Sequence, residues 1–344
     1  MPQKGKIIVL RFSSMGDVAM VASVLLEFSA QYPEIELIMV SQSPFKSFFD
    51  DIPNLTFHAI QPKTIHKGVF GLYQLFKELL KYNPIAIADL HNNLRSRLLT
   101  TFFRLLEVKI KRIDKGRTEK RALTRKNNKT IKPLKLTVDR YADVFKALGF
   151  NLKLSHQLVK NIKRMPNDAV SLFSETTIKK IGISPFAQHA YKMYPIAKME
   201  KVISEINALN YQIFIFGGGD EEKKIANKWQ DQFVNVTSFI GRFTLTEELA
   251  IISNLNLMLS MDSSGMHIAS LMGVPVLSIW GPTHPYAGFL GYGQKLEDCI
   301  QIDHPARPSS IYGNKPCLCG DEPCIDLIEP EIVVNKIIER LIHE

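Results

Sequence analysis

Short, wholly apolar runs alternate with longer stretches of helical spacing along this chain, and the alternation is played through twice. Residues 7–12 and 36–41 read as strands buried on both faces, with a helix over 18–31 between them and Ser43-Pro44 closing the second. The spacing predicts a helix over 73–82, ending before Pro84, and a third strand over 85–90. An amphipathic helix over 138–148 is stopped by Gly149, and 160–169, with Pro166 and Asn167, is linker-like. Strands over 181–184, 212–216, 255–260 and 274–280 then follow, separated by helices over 198–209, 246–253 and 266–272. A helix from 330 to 341 closes the chain. This is βαβ grammar, so the expected class is α/β with parallel sheets. The expected domains are Rossmann-like units over 1–165 and 166–329, with 330–344 as a helix packing back toward the first.

A length of 344 residues suits two domains, and 45% hydrophobic residues give each a core, which excludes disorder. No apolar run approaches the roughly 18 residues that cross a bilayer. The apolar stretch after Met1 to Lys6 is cut at Arg11, too soon for a secretory signal. Four cysteines agree with a cytoplasmic protein. The net charge of +9 is unevenly placed: Arg104 to Lys135 holds thirteen basic and three acidic residues, and the rest of the chain 30 basic and 31 acidic. A uniformly basic nucleic-acid coat is therefore excluded. The basic segment also has no aromatic residue from Leu105 to Leu136 on which bases could stack, so no nucleic-acid partner is expected.

Ligands of parallel sheets sit where strands run into helices, at backbone N–H groups and the positive end of the helix dipole. The first such junction is Ser13-Ser14-Met15-Gly16-Asp17, where Gly16 admits a ligand and Asp17 can take a proton from a hydroxyl. Ser14-x-x-Asp17 also reads as a capping box. Lys192, in the loop after 181–184, is either a phosphate contact or a solvated lysine. Gly217-Gly218-Gly219 clears a strand end, and Glu221 and Glu222 follow as acceptors for ribose hydroxyls or as a plain acidic helix start. Met261-Asp262-Ser263-Ser264-Gly265-Met266-His267 opens a helix with small residues, leaving N–H groups for a diphosphate; the alternative is an N-cap and a packed histidine. Gly281-Pro282-Thr283 is a further rim loop.

Together these motifs, in this order and spacing, resemble glycosyltransferase family 9, which contains the ADP-heptose:lipopolysaccharide heptosyltransferases. The resemblance also takes in Lys192-x-Tyr194-Pro195, Asp89 to Ser96 and Cys324 to Pro330, and so covers nearly the whole chain. It implies a GT-B enzyme of two facing Rossmann-like domains that moves heptose, by inversion, from ADP-heptose to a lipid-linked saccharide of the lipopolysaccharide core. Asp17 would be the base. Lys192, Glu222, Asp262, Ser263, Ser264 and His267 would bind the donor, joined by Gly218, Gly281 and Thr283. Ser14, Gly16, His91 and Arg95 would serve the acceptor. Lys111, Arg112, Lys120 and Arg121, from the basic segment, would meet acceptor phosphates or the inner leaflet of the membrane. The donor is a substrate, and no cofactor is implied.

The chain departs from the family pattern at Ser264, where Gly is frequent, at Ala187 and Gln188, where small hydroxyl residues are frequent, and at Ser309-Ser310. There is no Asp-x-Asp pair, so transfer is expected to need no metal. Cys317-Leu318-Cys319 and Cys324, with Cys299 or His304 as a fourth ligand, carry a zinc reading, but their spacing is not that of a zinc ribbon and no metal is expected.

Overall fold

A computed structural model describes residues 5–173 and 177–342. The remainder lies outside the described residues, including Met1 to Lys4 ahead of the first strand and the last two positions of the expected closing helix. Backbone contacts divide the chain into two units, 5–115 with 135–155 and 116–134 with 156–342.

The first unit runs β1 (Gly5–Leu10), α1 (Met15–Gln31), β2 (Ile35–Gln42), β3 (Leu55–Ile60), α2 (Gly68–Leu80), β4 (Ala86–Asp89), α3 (Leu94–Arg104) and β5 (Lys109–Arg112). After α4 (Arg117–Leu123), which belongs to the other unit, it resumes with α5 (Thr137–Leu148). Its strands form one parallel sheet in the order β3-β2-β1-β4-β5. β1 is central, with Val9 in register with Met39 on one side and Ala88 on the other. Both faces are covered, which is why Ile7 to Leu10 is apolar without alternation and wholly buried. Ile8 and Leu10 pack with Leu75 and Leu79 of α2 and Leu99 and Phe103 of α3. Helices α1 and α5 meet through Phe28 and Phe145, whose ring centroids are 4.6 Å apart. Gly149, at φ +110°, ends α5 in the left-handed conformation that favours glycine.

The second unit continues with α6 (Asn167–Val170), β6 (Lys180–Ser184), α7 (Ile196–Ala208), β7 (Gln212–Ile215), α8 (Asp220–Gln232), β8 (Val236–Ser238), α9 (Leu245–Ser253) and β9 (Leu257–Met261). It ends with α10 (Ser264–Leu271), β10 (Val276–Ile279), β11 (Cys299–Ile300), a short hairpin of β12 (Leu318–Cys319) and β13 (Glu322–Pro323), and α11 (Pro330–Ile342). The parallel sheet has the order β11-β10-β9-β6-β7-β8. The closing helix belongs to the second unit. Val333, Val334, Ile337 and Leu341 of α11 join the second unit's own core beside Met199 and Val202 of α7, because its apolar stripe matches that face. No helix among the described residues is long and apolar enough to cross a membrane.

Candidate active site

In each sheet the strand order reverses once, and the crevice beyond the carboxyl ends at that reversal is where open α/β sheets hold ligands. The first sheet reverses between β1 and β4. Asp17, in the first turn of α1, lies there with its carboxylate accepting from Ser14 Oγ at 2.7 Å and ion-paired with the Arg11 guanidinium. Arg11 is buried and also donates to the Leu90 carbonyl at 3.0 Å, so one guanidinium ties the ends of both strands to Asp17. The Asp17 side chain keeps 22% of its surface open. Ser14 is the N-cap of α1, but its hydroxyl turns to Asp17 and makes no cap bond to the helix, so the capping-box alternative does not hold.

His91, from the β4–α3 turn, is brought to the same place. Its Nδ1 accepts the Phe12 N–H at 3.1 Å, and Nε2 is 3.1 Å from the Asn93 amide nitrogen. Burial, with the positive charges of Arg11, Lys115 and Arg95 around it and against the pull of Asp17, holds its pKa down at about 3. The ring is neutral in the working range. Below pH 6.5 an unfolded chain takes up a proton that the folded chain refuses, so this histidine withdraws stability as pH falls from 6.5 toward 3. The loss by pH 3 is on the order of 4–5 kcal/mol. Urea titrations of His91→Gln between pH 7 and pH 4 are expected to show a shallower acid decline than the parent; equal slopes would contradict it.

The turn itself is fixed by Asp89, which is wholly buried and accepts the N–H groups of His91 and Asn92 at 3.1 and 2.7 Å and the Ser96 hydroxyl at 3.0 Å. Burial pushes its carboxyl up despite these bonds. Arg112 Nε stands 3.5 Å from it and Nη2 donates to Thr100 at 2.6 Å, so Arg112 is a brace under the turn and not the outward-facing charge expected of it. Asn93 and Ser96 form a reciprocal capping box that starts α3.

The second sheet reverses between β6 and β9. Lys192 arrives from the loop after β6 and Asp262 from the end of β9, and Nζ meets Oδ2 at 2.9 Å, both side chains largely buried. The stem of Lys192 lies on Gly313, at φ +76°, where a Cβ would stand 2.2 Å from Cγ and Cδ. Ser263 is the N-cap of α10 and makes no side-chain cap bond, while Gly265 is held so closely against β6 that a Cβ would be 2.3 Å from Ser184 Oγ. The first turn of α10, from Ser264, follows Asp262 by two residues, and the Ser263 side chain caps none of its N–H groups. His267 is buried in the first turns of the same helix.

Glu222 Oε2 accepts the Gly218 N–H at 2.8 Å, whereas Glu221 turns outward to Lys224, which separates the two acids the sequence left open. No side chain crowds Gly218. The rim Gly281 to Thr283 is held by Arg307, whose buried guanidinium donates to the carbonyls of Gly281 at 2.6 Å, Thr283 at 3.0 Å and Trp280 at 3.1 Å. Burial brings the Arg307 pKa down to about 10. Neither Arg11 nor Arg307 was expected. Arg11 interrupts an apolar run, a signal open to notice, but Arg307 lies in a Pro- and Ser-rich loop without periodicity.

The basic segment is not one arm. Residues 109–115 stay with the first unit and 116–134 belong to the second. Lys120 is buried with its ammonium 3.9 Å from the centre of the Phe289 ring, so it packs against its own unit and is no exposed acceptor contact. Lys111 and Arg121 are exposed.

Residues 72–310 match the sequence profile described as Glycosyltransferase family 9 (heptosyltransferase). The chain belongs to glycosyltransferase family 9. It is 26% identical over 286 residues to the lipopolysaccharide core heptosyltransferase OpsX of Haemophilus influenzae, a match covering 80% of this chain and 79% of that protein. Among solved structures, a family 9 glycosyltransferase of Veillonella parvula superposes with a TM-score of 0.77 at 19% identity, covering 100% of this chain and 99% of the other. Heptosyltransferase WaaC of E. coli with ADP superposes at 0.69 and 17% identity, covering 97% and 99%. The fold is that of these GT-B enzymes.

Proposed function

We propose that this family 9 enzyme moves heptose from ADP-heptose to a saccharide of the lipopolysaccharide core type, inverting the anomeric centre. The observation that carries this reading is Asp17, a part-open carboxylate fixed by Arg11 and Ser14 at the switch point of the first sheet. A base must be held in one place and still be reachable, and this carboxylate is both. The names of the similar proteins, a core heptosyltransferase and an enzyme crystallised with ADP, supply the sugar and nucleotide.

In this reading the acceptor hydroxyl gives its proton to Asp17 as its oxygen bonds to the anomeric carbon, and the bond from that carbon to the diphosphate breaks on the opposite face. Negative charge gathers on the leaving diphosphate, so its stabilisers carry most of the rate. Lys192 and the N–H groups opening α10 supply them. Glu222, in the first turn of α8 and bonded back to the glycine loop after β7, receives the ribose hydroxyls. Arg11, Arg95 and Lys115 around His91 outnumber Asp17 and favour an anionic acceptor.

Transfer and hydrolysis measured side by side with ADP-, UDP- and GDP-sugars test this. ADP-heptose should be the substrate used; preference for a UDP- or GDP-sugar would overturn the donor assignment. With the buried cations set aside, membrane or acceptor phosphates are left to exposed charges such as Lys111 and Arg121. The double variant Lys111→Gln/Arg121→Gln is expected to raise the KM for a lipid-borne acceptor roughly tenfold at low salt, with a weaker salt dependence and unchanged ADP affinity.

A further inference from the structure

At the two ends of the loop on which the Lys192 stem rests, the second unit gathers three of the chain's four cysteines and a histidine. Cys317 Sγ lies 2.8 Å from Cys324 Sγ, and Cys319 is joined to Cys324 as a disulfide. One donor atom from each of His304, Cys319 and Cys324 falls within 4.8 Å of the others. The hairpin of β12 and β13 makes this possible: it turns at Gly320, with φ +74°, and the Cys324 N–H closes on the Cys317 carbonyl at 2.8 Å. Cys317 and Cys324 are buried and Cys319 and His304 half-buried. A disulfide alone uses two sulfurs and leaves the third, Cys317, crowded against Cys324.

We propose that these four residues form a tetrahedral metal site, with three thiolates and one imidazole holding a single zinc or iron ion. Such a donor set suits ions of this borderline-soft class. His304 and not Cys299 is the fourth ligand, since Cys299, on β11, stands beside Ser278 of β10. Loading requires the reduced form. A dithiol reduces the Cys319–Cys324 bond by two electrons, delivering two protons and becoming a disulfide itself. The divalent ion then displaces three thiol protons as Cys317, Cys319 and Cys324 become thiolates. His304 Nδ1 now accepts the Ala306 N–H at 3.2 Å, and ligation exchanges that bond for the metal.

The position of the cluster says what the ion does. His304 and Cys317 bracket the loop that carries Arg307, which braces the Gly281 to Thr283 rim, and Gly313, on which the Lys192 stem rests. Lys129 fastens the same loop from the basic segment, donating to the carbonyls of Pro305 and Ala306 at 2.9 and 2.8 Å. An ion bound at the cluster would add a further tie to a loop that these side chains already hold. The site is structural, and it stands whether or not the proposed donor and acceptor are right.

The test uses full-length protein without a polyhistidine tag, purified under a dithiol reductant and desalted, with metals measured by mass spectrometry. About one equivalent of zinc or iron per chain is expected. Cys317→Ser and His304→Ala should each lower occupancy roughly tenfold or more, and Cys299→Ser should leave it unchanged. Because a ligand variant can unfold, the parent protein is also stripped with a chelator and refilled with Co²⁺. Intense visible absorption of a tetrahedral cobalt thiolate, with recovery of the thermal midpoint lost on stripping, is the expected result. Reduced parent protein that holds no metal and gives no cobalt spectrum would overturn the proposal, as would full occupancy in Cys317→Ser.

Discussion

Asp17→Asn is expected to lower transfer by roughly 10²- to 10⁴-fold while ADP still binds, the range over which a positioned general base contributes. The amide keeps the shape and a hydrogen-bonding oxygen for Ser14 and Arg11, but it cannot take a proton from the acceptor. Arg11 complicates the reading, because it is buried and loses the negative charge beside it. Leaving one partner of a buried pair uncompensated costs about 3–5 kcal/mol, so some loss of stability is expected as well. Two measurements separate the base from a structural anchor. In Asp17→Asn the loss should fall on kcat, with the affinity for ADP kept. Arg11→Met, which disturbs the carboxylate's position without removing it, should lower kcat less than Asp17→Asn does. A variant Asp17→Asn that turns over within tenfold of the parent removes Asp17 as the base.

How far the sequence carries this picture depends on the kind of signal each residue leaves. Runs such as that of β1 and β9 are legible because a strand covered on both faces has no reason to alternate. β5 left no such signal. Its Lys109 and Lys111 lie exposed on a sheet edge, where lysine guards against unwanted pairing, so the strand is hidden inside what reads as a charge run. Lys109 even serves the fold, donating at 2.7 Å to the Leu148 carbonyl at the end of α5. The segment after it shows the same limit in another form. Contiguity on the chain suggests one basic arm, and nothing in composition tells that 116–134 packs with the second unit through Leu123 and Leu134 against Ala287. The junction motifs at Asp17, Lys192 and Asp262 were readable because strand, small residues and helix follow one another closely. Arg11 and Arg307 act on partners 79 and 24 to 27 residues distant, a relation that only the fold creates.

The ion pair of Lys192 with Asp262 supports the second large effect, because two roles of this lysine predict different double variants. Lys192→Ala is expected to weaken ADP binding roughly 10- to 100-fold, the loss of a charge-assisted contact to a diphosphate. Part of that loss would come from Asp262, left with an unpaired charge next to the anion's place. Asp262→Asn removes that charge without changing shape, so adding it to Lys192→Ala separates the two parts. If Lys192 touches the diphosphate, the double variant recovers only partly and still binds ADP at least roughly tenfold more weakly than the parent. If Lys192 does no more than neutralise Asp262, the double variant binds ADP as the parent does, and the lysine is a structural partner. Gly313→Ala offers an independent approach, since its Cβ would collide with the Lys192 stem and move the ammonium without deleting it. Its ADP affinity should fall in the same direction as in Lys192→Ala, and in a Lys192→Ala background the same substitution should have almost no further effect. Calorimetry on these variants with ADP alone keeps the acceptor, and therefore Asp17, out of the measurement.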